Sequence, residues 1–257
     1  MKALITGASS GLGRDMAYIL SEKGYDIIAV ARRADKLEEL KKELKTNVEI
    51  LCCDVSDIEA CTALCERADE VDVLINNAGF GVFGDFGTTD QSRELEMLDT
   101  NVRAVHILTK NFAKKFKERG NGHILNVASL AAFFPGPLFA AYYASKSYVL
   151  RISQALAEEL RREKSNVRVS VLCPGPVHTE FGQVAKVSFG TGKEKGSGMI
   201  VLKSRKVAEY AINKMFKGKQ IIIPGALMKI AVFARRILPE KLISKAVYFI
   251  QDKKCRI

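Results

Sequence analysis

Apolar residues in this chain come in short continuous runs separated by longer amphipathic stretches. The runs are KALIT (2–6), DIIAV (26–30), VEILCC (48–53), VDVLI (71–75), GHILNVAS (122–129), VRVSVLC (167–173) and QIIIP (220–224). Runs of this length bounded by turn residues read as buried strands. The stretches between them carry helical spacing: RDMAYILSEKG up to Gly24, ADKLEELKKELK, 56–68, about 90–118, 140–163 and 204–217. Strands alternating with helices predict an α/β fold, a doubly wound parallel seven-stranded sheet with helices on both faces. No linker and no composition shift appears before about residue 182, so one domain over 1–257 is expected.

Beyond the last strand lies GALMKIAVFARRILPEKLISKAVYFIQDKKCRI, a C-terminal extension from about residue 225 that Pro239 splits into two short helices. Residues 180–203 hold five glycines and several lysines and suit a mobile lid.

Composition narrows the class. A chain of 257 residues, 47% hydrophobic and 27% charged, is ordinary for a water-soluble α/β domain. No apolar run approaches 18 residues, and Met1-Lys2 leads straight into ALITG, so neither a membrane span nor a signal peptide is expected. The net charge of +11 allows nucleic acid, an anionic membrane or a phosphorylated ligand. No nucleic-acid motif and no aromatic platform flanked by arginine is present, which argues against the first. Cys52, Cys53, Cys61, Cys65, Cys173 and Cys255 form no CxxC pair and read as free, mostly buried thiols in a reducing cytoplasm. With three histidines and no cluster, no metal site is expected.

The first strand runs into Thr6-Gly7-Ala8-Ser9-Ser10-Gly11-Leu12-Gly13 and then a helix. Strand, glycine turn, helix is the context in which such a motif binds phosphate. Gly7 allows the turn, Gly11 lets a pyrophosphate approach, and Gly13 lets the helix sit close on the strand. After the second strand come Ala31, Arg32 and Arg33, with no acid to bond a ribose 2′-hydroxyl. An arginine there fits a 2′-phosphate; the same residues also suit the solvated start of a helix. Asp54, just past the third strand, suits an adenine amino group or the cap of helix 56–68, a task for which Asp57 competes. Asn101 falls inside a predicted helix, as a packing residue or as a polar group facing a site.

The chemistry concentrates in NVASLAAFFPGPLFAAYYASK (126–146). Tyr142 and Lys146 are four residues apart and share a helix face, with Ser129 thirteen residues upstream. An ammonium beside a phenol favours the phenolate, so a lowered Tyr142 pKa is expected, and such a phenol beside a hydroxyl exchanges protons with a carbonyl or alcohol oxygen. Ser197, Tyr210 and Lys214 repeat the spacing, but after a Gly/Lys-rich loop rather than a buried strand.

TGASSGLG, Asp54-Val55, NNAG (76–79), Asn101, Ser129, Tyr142-x-x-x-Lys146 and PGPVHT (174–179) together resemble the short-chain dehydrogenase/reductase family over about two thirds of the chain. The resemblance implies a Rossmann fold and a cytoplasmic homodimer or homotetramer assembled through the long helices. It implies Asn101, Ser129, Tyr142 and Lys146 as the catalytic four: Ser129 polarising the substrate oxygen, Tyr142 exchanging its proton, Lys146 tuning the phenol and bonding the nicotinamide ribose, and Asn101 holding a relay water. It also implies cofactor contacts from Thr6, Ser9, Ser10 and Leu12 around the glycines. Further contacts would come from Asp54, Val55, Asn77, Ala78 and Gly79, and from Pro174, Gly175, Val177 and Thr179. With Arg32 and Arg33, NADP(H) is favoured over NAD(H).

The expected reaction is hydride transfer between NADP(H) and a carbonyl or secondary alcohol, with reduction of a 3-oxoacyl or steroid-like ketone preferred. The alternatives are a hydroxysteroid or alcohol dehydrogenase running oxidatively, and a catalytically silent NADP(H)-binding regulator. Phe133, Phe134 and Phe181 would line an apolar substrate pocket. In the tail, Leu227, Ile230, Ala234 and Ile237 recur at helical spacing, as do Leu242, Ala246 and Phe249. Their preferred role is to pack over the substrate mouth or a partner subunit; contact with an anionic membrane, with Lys229, Arg235, Arg236, Lys241 and Lys245 alongside, is the less favoured one.

Overall fold

A strand with apolar side chains at consecutive positions needs cover on both sides, and the fold supplies it. The computed structural model describes residues 1–185 and 201–255. Its strands are β1 (Lys2–Thr6), β2 (Asp26–Ala31), β3 (Val48–Cys52), β4 (Val73–Asn76), β5 (Gly122–Val127), β6 (Val167–Leu172), β7 (Val177–His178), β8 (Leu202–Lys203) and β9 (Ile221–Ile222). Seven of them form one sheet in the order β3-β2-β1-β4-β5-β6-β9, all parallel. The short β7 and β8 pair separately.

The helices are α1 (Gly11–Glu22), α2 (Ala34–Glu43), α3 (Ile58–Glu66), α4 (Gln91–Leu98), α5 (Val105–Arg119), α6 (Ala140–Arg162), α7 (Phe181–Val184), α8 (Ser204–Phe216), α9 (Ala226–Ala234) and α10 (Glu240–Cys255). Alternate residues of each strand enter different cores. Ala3, Ile5, Ile27 and Ile75 pack with α1, α2 and α8. Leu4, Ile28, Leu74 and Ile124 pack with α3, α5 and the end of α6. Full burial of each Leu or Ile contributes about 2 kcal/mol, so the two-sided cover explains why the strands are apolar throughout.

The sheet order places β1 beside β4, and the chain leaves toward opposite edges from there. Such a switch point opens a crevice beyond the carboxyl ends of the strands.

Two expectations need adjustment. The helix expected over 90–118 is broken into α4 and α5 by a π-helical turn at Asp99–Ala104. The extra residue in that turn sets Asn101 fully inside the protein. Of the expected lid at 180–203, residues 186–200, with Ser197, lie outside the described residues.

Candidate active site

The turn after β1 is where the chain comes closest to itself. Gly7 sits at φ +67°, and a Cβ there would lie 2.8 Å from the Asn77 amide nitrogen. At Gly13 a Cβ would collide with the Gly7 carbonyl oxygen. Glycine is therefore required at both, once for the turn and once for the close approach of α1. Thr6 sits behind the turn. Its Oγ1 accepts the backbone N–H groups of Asn77 (3.0 Å) and Ala78 (3.1 Å). The Asn77 side chain donates back to the carbonyls of Thr6 (3.0 Å) and Gly7 (3.2 Å). These bonds tie the end of β1 to the end of β4, and Gly7, Gly11 and Leu12 face a cavity of about 930 Å³.

Further along that cavity lie Ser129, Tyr142 and Lys146. Ser129 follows β5 and opens a 3-10 turn, where its Oγ accepts the Ala131 N–H at 3.1 Å. Its hydroxyl also reaches the Tyr142 phenol. Tyr142 and Lys146 lie one turn apart on α6, with Nζ 5.8 Å from the ring centroid. Lys146 Nζ donates to the Val127 carbonyl at 3.1 Å. The strand that delivers Ser129 thus also anchors the lysine.

Burial sets both protonation states. Desolvation pushes the Tyr142 pKa well above that of a free phenol, and the hydrogen bond from Ser129 only partly opposes it. Desolvation lowers Lys146 to about 8, with nearby Cys173 acting the other way. The expected lowering of the phenol by its ammonium neighbour is therefore overturned: for a pair this deep, the loss of water dominates. At neutral pH Tyr142 keeps its proton.

Residues 1–187 match the family model described as short chain dehydrogenase. The chain is 32% identical over 252 residues to the dehydrogenase/reductase SDR family protein 7-like of Drosophila melanogaster, covering 92% of this chain and 76% of that one. It is 35% identical over 191 residues to the farnesol dehydrogenase of Aedes aegypti, covering 70% and 78%. Among solved structures, a short-chain dehydrogenase from Sphingobium yanoikuyae in complex with NADPH superposes with TM-score 0.79 at 27% identity, covering 92% and 93%. The chain belongs to the short-chain dehydrogenase family.

In this short-chain dehydrogenase the cavity wall collects most of the residues singled out in the sequence. From the first loop it includes Ser9 and Ser10; from the next two, Arg32, Arg33, Asp54 and Val55. Asn77, Ala78 and Gly79 follow β4, and Pro174, Gly175, Val177 and Thr179 follow β6. Thr6 and Gly13 stand behind the wall and shape it.

The two arginines occupy different places. Arg32 contacts Asp54 at 3.3 Å and Glu96 at 3.4 Å. Arg33 bridges the Ser9 hydroxyl (3.2 Å) and Glu180 (2.8 Å). Asp57, not Asp54, caps α3, accepting the Glu59 N–H at 2.9 Å. Asp54 is left facing the cavity, with one oxygen on the Ser56 N–H at 2.9 Å.

Asn101 does not line the cavity. Its Oδ1 accepts the Phe80 N–H at 3.1 Å, and its Nδ2 donates to the Phe80 carbonyl (2.9 Å) and to Ser145 Oγ (3.1 Å). Its side chain is a brace between the loop after β4 and α6.

At the apolar end, Phe134 and Phe181 line the wall. Phe133 does not: it packs into a core with Val149, Leu150 and Cys173. Phe80, Tyr143 and Phe139 also line the wall and were missed in the sequence; the Phe139 ring stacks on Tyr142 with centroids 4.5 Å apart. The signal for Phe139 was a third phenylalanine in the loop FFPGPLF, indistinguishable there from a core residue. The cavity is closed by α9 and α10, through Met228 and Ala231 on the first, Arg235 just past its end, and Ile243, Val247 and Gln251 on the second. Gln251 Nε2 donates to the Tyr143 hydroxyl at 2.6 Å. The tail thus packs over the mouth of the site with one face of each helix.

Of the cysteines, Cys61 and Cys173 are buried, Cys53 and Cys65 half-buried and Cys52 exposed, so the expectation of mostly buried thiols holds only in part. The side chain of Cys255 lies outside the described residues.

Proposed function

We propose that this short-chain dehydrogenase uses NADP(H) to interconvert a bulky apolar ketone and its secondary alcohol, working chiefly as a reductase. One observation carries the reading. A single cavity joins the glycine turn and both arginines at one end to Ser129, Tyr142 and Lys146 and an aromatic wall further along. The first part fits a dinucleotide. Gly7 and Gly13 set the turn and the close seat of α1, and the start of that helix at Gly11 and Leu12 faces the cavity, where a pyrophosphate fits. Two guanidiniums, and no acid at the end of β2, suit a 2′-phosphate. The relative bound to NADPH supports this cofactor, and the relative named for an isoprenoid alcohol supports a large apolar substrate.

When bound, the nicotinamide supplies hydride in reduction and accepts it in oxidation. The chain's own work is positioning and one proton. Ser129 donates a hydrogen bond to the substrate oxygen. Tyr142, protonated at neutral pH, gives its proton to that oxygen as charge develops. Lys146, still largely protonated at neutral pH, steadies the charge left on the phenol. Asn101 acts through its brace to Phe80 and Ser145, which fixes α6 and hence the Tyr142–Lys146 pair; with both ends of its amide engaged, its side chain is a positioning group rather than the holder of a relay water. In the reverse direction the Tyr142 phenolate accepts the alcohol's one proton.

The test is Tyr142→Phe, assayed with a panel of bulky ketones by loss of NADPH absorbance. Removing a positioned general acid lowers kcat by about 10²–10⁴-fold, while NADPH binding followed by fluorescence stays as in the wild type. Turnover within about tenfold of wild type would remove Tyr142 from the role.

A further inference from the structure

The two C-terminal helices have faces with opposite fates. The inner faces close the cavity. The outer faces are apolar, and no described residue covers them. Leu227, Ile230, Phe233 and Ile237 recur at helical spacing and are 59, 61, 61 and 74% exposed. On α10, Tyr248 and Phe249 are 44 and 65% exposed and do not border the cavity. Fourteen large apolar side chains are exposed among the described residues; nine of them fall between Leu227 and Ile250, and six of those nine do not border the cavity. Scattered exposed apolar residues are ordinary, but this concentration marks an interaction surface.

Charge selects the occupant. From Gly225 onward the sequence has eight Lys and Arg against only Glu240 and Asp252, which is six of the chain's net eleven positive charges. Lys245 lies one turn before Tyr248 and Phe249, three residues from the first and four from the second. Arg236 and Lys241 flank the exposed turn at Ile237. A second copy of the chain suits this surface poorly, because a two-fold contact sets a patch against itself and would bring the cations face to face.

We propose that the outer face of α9 and α10 docks on an anionic lipid bilayer. The exposed leucine, isoleucine and phenylalanine side chains enter the boundary between headgroups and acyl chains. The lysine and arginine stems run along the apolar surface to place their charges among the anionic headgroups. No helix among the described residues is long and apolar enough to cross a membrane, so the pair lies on the surface of the bilayer.

The experiment is co-sedimentation of the full chain with vesicles, and its readout does not depend on catalysis. The vesicles are phosphatidylcholine alone or phosphatidylcholine with about 30 mol % phosphatidylserine, each at low and high salt. The wild type sediments with the anionic vesicles, less so at high salt, and stays largely in the supernatant with neutral ones. The variant Arg236→Gln/Lys241→Gln/Lys245→Gln binds more weakly by roughly fivefold per charge removed. The variant Phe233→Ser/Ile237→Ser/Phe249→Ser loses binding. Both variants keep the wild-type thermal transition and NADPH binding, because the replaced side chains face outward. The proposal is overturned if the wild type ignores both kinds of vesicle, or if neither variant weakens binding. It is overturned equally if light scattering shows a dimer that the serine variant dissociates while vesicle binding is absent.

Discussion

Tyr142 and Lys146 acquire their properties from depth, not from spacing. Tyr210 and Lys214 show nearly the same local geometry, with the ammonium 5.5 Å from the ring against 5.8 Å for the first pair. Yet Tyr210 and Lys214 are only half-buried on α8 and do not border the cavity, whereas Lys146 is 4% exposed. The sequence gives the spacing but not the depth, which is why the expected direction of the phenol's shift was reversed. The depth has a measurable consequence. With a folded pKa of about 8 against an ordinary 10.5, Lys146 binds its proton less well folded than unfolded. Below about pH 8 the full cost of burying the ammonium is present, about 3 kcal/mol, and it is relieved as pH rises toward the unfolded value. Three of the thiols act oppositely. Cys61 and Cys173 are raised to about 12 and Cys65 to about 11, so their contribution falls once unfolded thiols ionise near 9. Comparing wild type with Lys146→Met cancels most of that. In urea unfolding, the stability advantage of the methionine variant should shrink by an amount on the order of 2 kcal/mol between about pH 8 and 10. A constant difference would mean that Lys146 titrates as an exposed lysine does.

Loops and turns bring the elements of the site together. The glycine turn was legible because the reasons for its glycines are local: a positive φ at Gly7 and a helix pressed on a strand at Gly13. The π-helical turn at Asp99–Ala104 was not legible. Helical periodicity runs through it, and its cause is the Phe80 backbone, twenty-one residues away, which claims the Asn101 side chain. The arginines were found as a pair, but only the folded loops separate them. Arg32 leans toward Asp54 and Glu96, while Arg33 reaches the glycine turn through Ser9. If the cofactor is NADP(H), as proposed, its ribose 2′-phosphate would lie between that turn and the end of β2, where Arg33 would be the stronger ligand. Arg33→Ala should raise the Kd for NADPH by roughly 10–100-fold, as loss of a charge-assisted pair does, and leave that for NADH nearly unchanged. Arg32→Ala should have the smaller effect. Fluorescence titration of both variants with both nucleotides checks this, and the opposite ranking would move the assignment to Arg32.

For the molecule as a whole, the C-terminal helices close one end of the cavity. Their amphipathic spacing was visible in the sequence, but a helical wheel does not say which face meets the protein. The contacts of α9 and α10 settle that, since Met228 stands 3.0 Å from where a Cβ on Gly175 would sit, and Ile243 is buried over the site. The end that holds Ser129, Tyr142 and Lys146 is built on the sheet, whereas the apolar end is closed by this separate piece of chain. Changes in the roof should therefore alter substrate choice without touching the chemistry. Val247, half-buried and facing the cavity from α10, is the position to test. Val247→Trp would fill part of the apolar end while leaving the glycine turn, Arg33 and the Ser129–Tyr142–Lys146 set as they are. For bulky ketones kcat/KM should fall by about 10–100-fold, the range that steric misfit in an apolar pocket gives. For a small ketone it should change by no more than about twofold, with NADPH affinity unchanged. An equal loss for large and small substrates would show that α10 supports the catalytic residues themselves rather than the space in which the substrate lies.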